Sequence, residues 1–238
     1  MNISPDSVVL CQWGFFTVNA TIAFTWAIMA LLTAVSWCVT RRLSTATKMT
    51  RWQNILEVLV SGMMGQIKEV SHFDPARFLP LVGTLFIFIL VSNLLTIIPG
   101  YQPPTGSLST TSALAICVFV AVPYFGIRER GLTGFLKLYI KPTPFMVLFN
   151  IFGEISRSFA LAVRLFGNIM SGKMIASILL LVVPFLFPVV MQAFGLLIGL
   201  IQAYIFAVLA MVYIASGTRV HKEKEKEADM VEEKEEGG

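Results

Sequence analysis

Apolar residues gather into five long runs, Phe15 to Thr40, Phe78 to Ile98, Ser107 to Ile127, Phe145 to Val183 and Val189 to Gly217. Each is long enough at about 1.5 Å per residue to cross a hydrocarbon core about 30 Å thick, or nearly so. Lipid tails cannot hydrogen-bond a backbone, so such runs must satisfy their own polar groups and are expected to be helices. The strand-like alternation of a membrane barrel is absent from the sequence. A sixth segment, Trp52 to Val70, has a different pattern. It spaces Trp52, Ile55, Leu56, Leu59, Met63, Ile67 and Val70 three and four residues apart, with Arg51, Glu57, Lys68 and Glu69 between them. That is an amphipathic helix, expected to lie on the membrane surface. The fold class expected is therefore an all-α polytopic membrane protein with five crossing helices and one surface helix, the fourth crossing long and steeply tilted and paired in a hairpin with the fifth.

The fourth run breaks the pattern in two ways. Its roughly 39 residues would extend about 58 Å as one helix, so it must tilt or bend. It also carries charges in its interior, Glu154, Arg157, Arg164 and Lys173. A charge at the bilayer centre costs on the order of 2.5–3.5 kcal/mol, so it is expected to face water or protein. At about 100° per residue, Arg157 and Asn168 fall within roughly 40° of Arg164, and Glu154 about 80° away. Ala160, Gly167 and Ser171 flank the same side. A polar stripe among very small residues predicts a surface that another helix approaches closely. Arg157 and Glu154 are also spaced for an i,i+3 ion pair, and Arg164 could pair with Glu154. Lys173 points to the opposite side and lies near enough to the end of the run to reach the membrane interface.

Composition confirms the membrane setting: 238 residues, 56% hydrophobic and 13% charged, with a mean hydropathy of +0.77. The net charge of +4 does not suggest nucleic acid, because the basic residues lie between the apolar runs and not in one patch. They also set an orientation, since Lys and Arg stay on the cytoplasmic side. Arg41, Arg42, Lys48, Arg51, Lys68 and Arg77 follow the first run, Arg128, Arg130, Lys137 and Lys141 the third, and Arg219 with a Lys-rich tail the fifth. Five crossings with the N-terminus outside and the C-terminus cytoplasmic put all of these on one side. Three organisational units are expected: residues 1–77, the first span with the surface helix; 78–217, a helical unit of the other four spans; and 218–238, a charged, partly disordered tail. Cys11, Cys38 and Cys117 lack metal-ligand or disulfide spacing. His72 and His221 fall in loops, and no catalytic constellation, metal site or cofactor is expected.

Several strings resemble those of the a subunit of F-type ATP synthases, as found in bacteria and chloroplasts. Arg164-Leu165-Phe166-Gly167-Asn168 is similar to the family's signature. Ser92-Asn93-Leu94-Leu95 with Ile98-Pro99-Gly100 resembles its first hairpin corner. Pro104-Thr105-Gly106 with Thr110-Thr111 and Leu114-Ala115-Ile116 resembles the next span's start, and Ile201-Gln202-Ala203-Tyr204-Ile205-Phe206 its last helix. The resemblance covers about residues 78–217. It implies a non-catalytic stator subunit of the bacterial cytoplasmic (inner) membrane, with partners in the ring of subunit c, the subunit b peripheral stalk, the remaining F1Fo subunits and the bilayer.

The mechanism implied is that Arg164 faces the ring carboxylates while two offset half-channels bring ions to and from them. By the same resemblance Asn168 and Gln202 lie near the Arg, and Glu154 matches an acidic position ten residues before it. Arg157, Ser107, Ser171 and Lys173 are implied as half-channel or supporting residues. The chain departs from the family where Lys173 replaces a common Glu, Gly195 a His and Ser107 an Asp. Those departures leave an oxygen-rich path with few titratable groups, which suits protons on water wires and would also suit Na⁺. A secondary transporter and a purely structural anchor are the rival readings.

Overall fold

The structure, a computed structural model, describes residues 9–13, 16–41, 51–70, 75–98, 100–140, 146–182 and 187–236. The expected run ends at Phe15, Phe145 and Val183, and the basic residues Arg42, Lys48 and Lys141, lie outside them. Six helices follow in order: α1 (Ala20–Thr40), α2 (Arg51–Val70), α3 (Pro75–Leu94), α4 (Leu108–Ile140), α5 (Met146–Val182) and α6 (Phe187–Glu236). All but α2 are long and apolar enough to cross a membrane, which gives the five spans expected. The pattern did not predict the short antiparallel hairpin before α1, with β1 (Val9–Trp13) paired to β2 (Phe16–Asn19) and Trp13 opposite Phe16.

Helices α3 to α6 form the packed bundle. Phe78, Val82, Leu85 and Ile89 recur every three or four residues along α3, and all are buried. They meet Ala115, Val118, Ala121 and Val122 of α4 and Ala203, Phe206, Ala207 and Ala210 of α6. Alanine on facing helices allows close approach, the main source of helix association where lipid removes the hydrophobic drive. By contrast α1 packs sparsely, with Trp26, Val35 and Trp37 exposed. Its Thr25 and Thr33 hydroxyls donate to the carbonyls of Thr21 and Met29, each at 2.7 Å, so neither polar group is left bare. Amphipathic α2 lies against α3 and α6, with Met63 packed on the core and the Tyr204 hydroxyl donating to Gln66 Oε1 at 2.7 Å.

Between α3 and α4 the chain turns through two 3₁₀ segments, Leu95–Ile97 and Pro104–Gly106. Gly100 takes φ +88°, a conformation that a side chain would strain. Pro104 opens the second segment and Ser107 closes it, in extended conformation with its carbonyl accepting from Thr111 N and Oγ1. Pro104, Thr105, Gly106 and Ser107 are all buried, so this turn is plugged into the bundle.

Boundaries differ from those expected: the first apolar run begins as β2, with α1 starting only at Ala20, and α4 and α6 run on beyond theirs. Helix α4 continues past Ile127 to Ile140, interrupted at Gly131, whose φ of 74° and ψ of 165° are not helical. Helix α6 runs past Gly217 through the charged segment to Glu236, where a partly disordered tail was expected. Lys, Glu and Ala are strong helix formers, and Lys222/Glu225, Glu223/Lys226 and Lys224/Glu227 place opposite charges three apart.

Candidate functional site

Arg164 is the middle residue of the apolar span Val147–Leu181, seventeen residues from either end. A 35-residue span is roughly 52 Å long, so in a bilayer it must lie strongly inclined. One side of α5 is fixed by Leu161, Ala162 and Leu165, which are buried against α3, α4 and α6. With Leu161 and Leu165 held inward, Ala160, Val163 and Arg164 are turned outward and exposed. A Cβ on Gly167 would meet nothing within 4 Å, so the ground beside the Arg is open. Among the described residues Arg164 makes no hydrogen bond or ion pair.

Neither ion pair considered from spacing forms. Glu154 is half-buried and pairs with no described residue, so it neutralises neither Arg157 nor Arg164. The Arg157 guanidinium instead sits over the Tyr213 ring of α6, 5.8 Å from its centroid. That is within cation–π range and anchors the cation away from Glu154.

Gln202 is buried on α6, and its Nε2 has no hydrogen-bond partner. It adjoins Ala203 as Arg164 adjoins Leu165, and those two neighbours belong to one packed cluster. Toward the 95–107 turn, a cavity of about 450 Å³ opens between α5 and α6. It is lined by Asn168, Ser171 and Lys173 on one side, Gln192, Gly195 and Gly199 on another, and Asn93, Thr96 and Tyr101 from α3 and the turn. Its lining residues nearest along the two helices to Arg164 and Gln202 are Asn168 and Gly199, four and three residues away, about one turn. Glu154 and Arg157 lie beyond Arg164, away from this cavity, and Ser107 is buried in the turn outside its lining, its Oγ 2.7 Å from Ser109 Oγ.

Lys173 reaches the turn that joins α3 to α4. It is half-buried and lies against the turn, its Nζ 3.1 Å from where a Cβ of Gly106 would be. The ring of Tyr101 packs edge-on to Phe24 of α1 at 5.2 Å. Burial pushes the Tyr101 phenol well above its ordinary value. The Ser92 and Tyr101 hydroxyl oxygens, and Gln102 Oε1, are buried without a hydrogen-bond partner.

Three residues that spacing did not single out as functional hold this region together. Asn93 Nδ2 donates to the Gly199 carbonyl at 2.9 Å, and Thr105 Oγ1 donates to Asn93 Oδ1 at 3.0 Å. Gln192 Nε2 donates to the Thr96 carbonyl at 3.0 Å, in the 3₁₀ segment that follows α3. The signal for Asn93 was present in the sequence, as a polar side chain inside an apolar run with no partner nearby in the chain.

An unpaired cation at mid-span of the longest apolar helix, beside an open surface and a cavity, belongs to a polytopic membrane protein. Residues 22–215 match the family described as ATP synthase A chain. Similar proteins include ATP synthase subunit a of Albidiferax ferrireducens, 58% identical over 94% of this chain and 97% of its own length. ATP synthase subunit a 2 of Acaryochloris marina is 57% identical over 92% of this chain and 94% of its own. ATP synthase subunit a 1 of Chlorobaculum parvum is 57% identical over 93% and 98%. The chain belongs to the ATP synthase subunit a family. It is an integral protein of the bacterial membrane and a non-catalytic subunit of the Fo sector of F-type ATP synthase.

Proposed function

We propose that the chain is the proton-conducting stator, with Arg164 as the fixed charge beside which carboxylates of a subunit c ring release and rebind their ions. The observation that carries this reading is an exposed, unpaired guanidinium at the centre of a span, next to open ground at Gly167. Arginine stays protonated at accessible pH, so it cannot itself pass a proton. A carboxylate brought about 4 Å from it, at an effective dielectric of about 20, gains about 4 kcal/mol in its ionised form, about a thousandfold. Charge displaced across the membrane supplies about 2.3 kcal/mol per 100 mV to drive the ring past.

The cavity ending one turn short of Arg164 and Gln202 serves as the access path on one side. Its neighbourhood holds buried polar atoms without protein partners, which favours water there. Asn168 and Ser171 line it, Gln202 stands one turn along α6 from its lining residue Gly199, and Glu154 and Arg157 belong to the path on the other side. The N-terminus lies outside and the C-terminus in the cytoplasm, so this cavity opens outward. Residues 78–217 carry translocation, with subunit b and the remaining F1Fo subunits as further partners. Arg164→Ala is expected to abolish coupled ATP synthesis while the complex still assembles. Retention of coupled synthesis would sink the proposal and favour a structural anchor.

One observation favours a second reading, with Na⁺ as the ion. The polar groups in the cavity's largely apolar wall are those of Asn, Thr, Tyr, Ser and Gln beside Lys173, with no carboxylate. Hard cations take such ligands. Na⁺-dependent ATP hydrolysis by the purified complex, together with Na⁺ protection of the ring carboxylate from carbodiimide, would establish it. The absence of both would dismiss it.

A further inference from the structure

The cavity between α5 and α6 has walls of two kinds. Asn93, Thr96 and Tyr101 from α3 and the turn, with Asn168 and Ser171 of α5, form its polar side. Ile175 and Leu180 of α5 and Met191, Phe194 and Ile198 of α6 form an apolar side that runs out toward the span ends at Leu181 and Val189. Lys173 comes between the two on α5. Among the described residues it is the one basic side chain of the lining, and no carboxylate stands beside it there. It is half-buried, and among the same residues it has no hydrogen-bond or ion-pair partner. A cation within a span ordinarily faces an opposite charge. This one faces a cavity of about 450 Å³, within the range of about 300–1,000 Å³ typical of ligand sites.

We propose that this cavity binds a single-chain carboxylate of the fatty-acid kind, its carboxylate against the Lys173 ammonium and its hydrocarbon chain along the apolar side. A lone cation calls for a single negative charge, and a wall that is apolar on one side calls for a single chain. Depth favours such an acid over a phospholipid. Lys173 lies eight residues from Leu181, about 12 Å along the inclined axis, inside the membrane face where a lipid phosphate stays. The nearest other charge on α5, Arg164, is about 13 Å further along and too far to share the carboxylate. Polar neighbours leave the anion to the lysine, because Gln192 Nε2 donates to the Thr96 carbonyl and Ser171 Oγ to that of Asn168. Binding follows from the lysine, the cavity and its apolar side alone. Its consequence rests on the reading of the cavity as an access path: a chain lying there occupies the route of the ions, so the bound acid slows turnover.

The test uses the purified complex and decanoic acid carrying a photoreactive diazirine at the far end of its chain, at a pH of about 7.5, where a carboxylic acid is ionised. The matching decanol probe is uncharged. The acid is expected to label the peptides of residues 175–180 and 191–198 at least about fivefold more than the alcohol does, the worth of a screened ion pair. Lys173→Gln should bring the acid down to the level of the alcohol, and Lys173→Arg should keep the excess. Gly195→Leu puts a side chain into the cavity at a position where a Cβ meets nothing within 4 Å, and should lower both labels. Equal labelling by acid and alcohol, or an excess that survives Lys173→Gln, overturns the site. Unlabelled decanoate should also slow ATP hydrolysis by the coupled complex in liposomes at least about twofold, and leave Lys173→Gln unslowed. Leakage of the gradient would speed hydrolysis instead, so slowing marks a blocked path. Labelling that depends on Lys173 without any slowing refutes the access path and supports the binding site. Labelling indifferent to Lys173, with Arg164→Ala inactive in coupled synthesis, removes the site and leaves the stator reading.

Discussion

Gly199→Ala would place a methyl group where the bundle has no room for one. The new Cβ would stand 2.8 Å from Asn93 Cβ, 3.2 Å from its Cγ and 3.3 Å from its Nδ2. Asn93 Cβ is bonded directly to the backbone of α3, so no side-chain rotation relieves the first contact, and α6 must move away from α3. Overpacking of this kind costs about 1–3 kcal/mol. The same movement stretches the 2.9 Å hydrogen bond from Asn93 Nδ2 to the Gly199 carbonyl, and an unsatisfied buried polar group costs about 1–3 kcal/mol more. A total of about 2–6 kcal/mol is expected, and Gln202, three residues further along, shifts with its helix. The assay is unfolding of the purified chain in mixed micelles by SDS titration, for Gly199→Ala, Asn93→Gly and the double variant. Asn93→Gly removes the clashing Cβ, so the double variant should be at least about 1 kcal/mol more stable than the sum of the single changes predicts. Stability of Gly199→Ala within about 0.5 kcal/mol of the unaltered chain, with no coupling, would refute the reasoning. Gly195→Ala is the control, because a Cβ there meets nothing within 4 Å.

Three further outcomes follow from the geometry. Tyr204→Phe removes the exposed hydrogen bond that ties α6 to Gln66 on α2, so hydrogen exchange in α2 should quicken while global stability falls by no more than about 1 kcal/mol. Tyr101 has its phenol value raised by burial, so the folded state holds that proton more tightly than the unfolded chain does. Its contribution is thus complete below the ordinary tyrosine value of about 10 and is lost as pH climbs above it, and denaturation at alkaline pH should show Tyr101→Phe resisting that loss. The Arg157–Tyr213 contact should show a coupling of about 0.5–1 kcal/mol in a double-mutant cycle with Arg157→Gln and Tyr213→Leu, and no coupling would dismiss it.

The spans were legible because apolar length in lipid leaves the backbone one solution, and the amphipathic spacing of Trp52 to Val70 was legible for the same periodic reason. Helix ends were less so. Gly131 breaks α4 beyond the last apolar residue, and the charged segment after Arg219 extends α6 by local helix propensity that an apolar count ignores. Around Arg164, rotation per residue set Lys173 on the side of α5 opposite Asn168 and Ser171, whereas all three line one cavity. It could not show that this side faces the buried 104–106 turn, where the missing side chain of Gly106 makes room for the ammonium. Spacing also suggested Glu154 as the partner of Arg157, since the chain carries no local record of Tyr213 arriving from α6. Likewise the link from Asn93 to Gly199 joins residues 106 positions apart, and only the assembled bundle brings them together.

The most direct test of the central claim is disulfide trapping in the assembled complex, with the native cysteines replaced. Single cysteines at Ala160 and Gly167, on the open side beside Arg164, would be paired with cysteines along the outer helices of the rotor ring. The account predicts cross-links from both positions to the ring at the level of its carboxylates, and none from cysteines at the inward-packed Leu161 and Leu165. An assembled complex in which neither Ala160→Cys nor Gly167→Cys reaches the ring would contradict it.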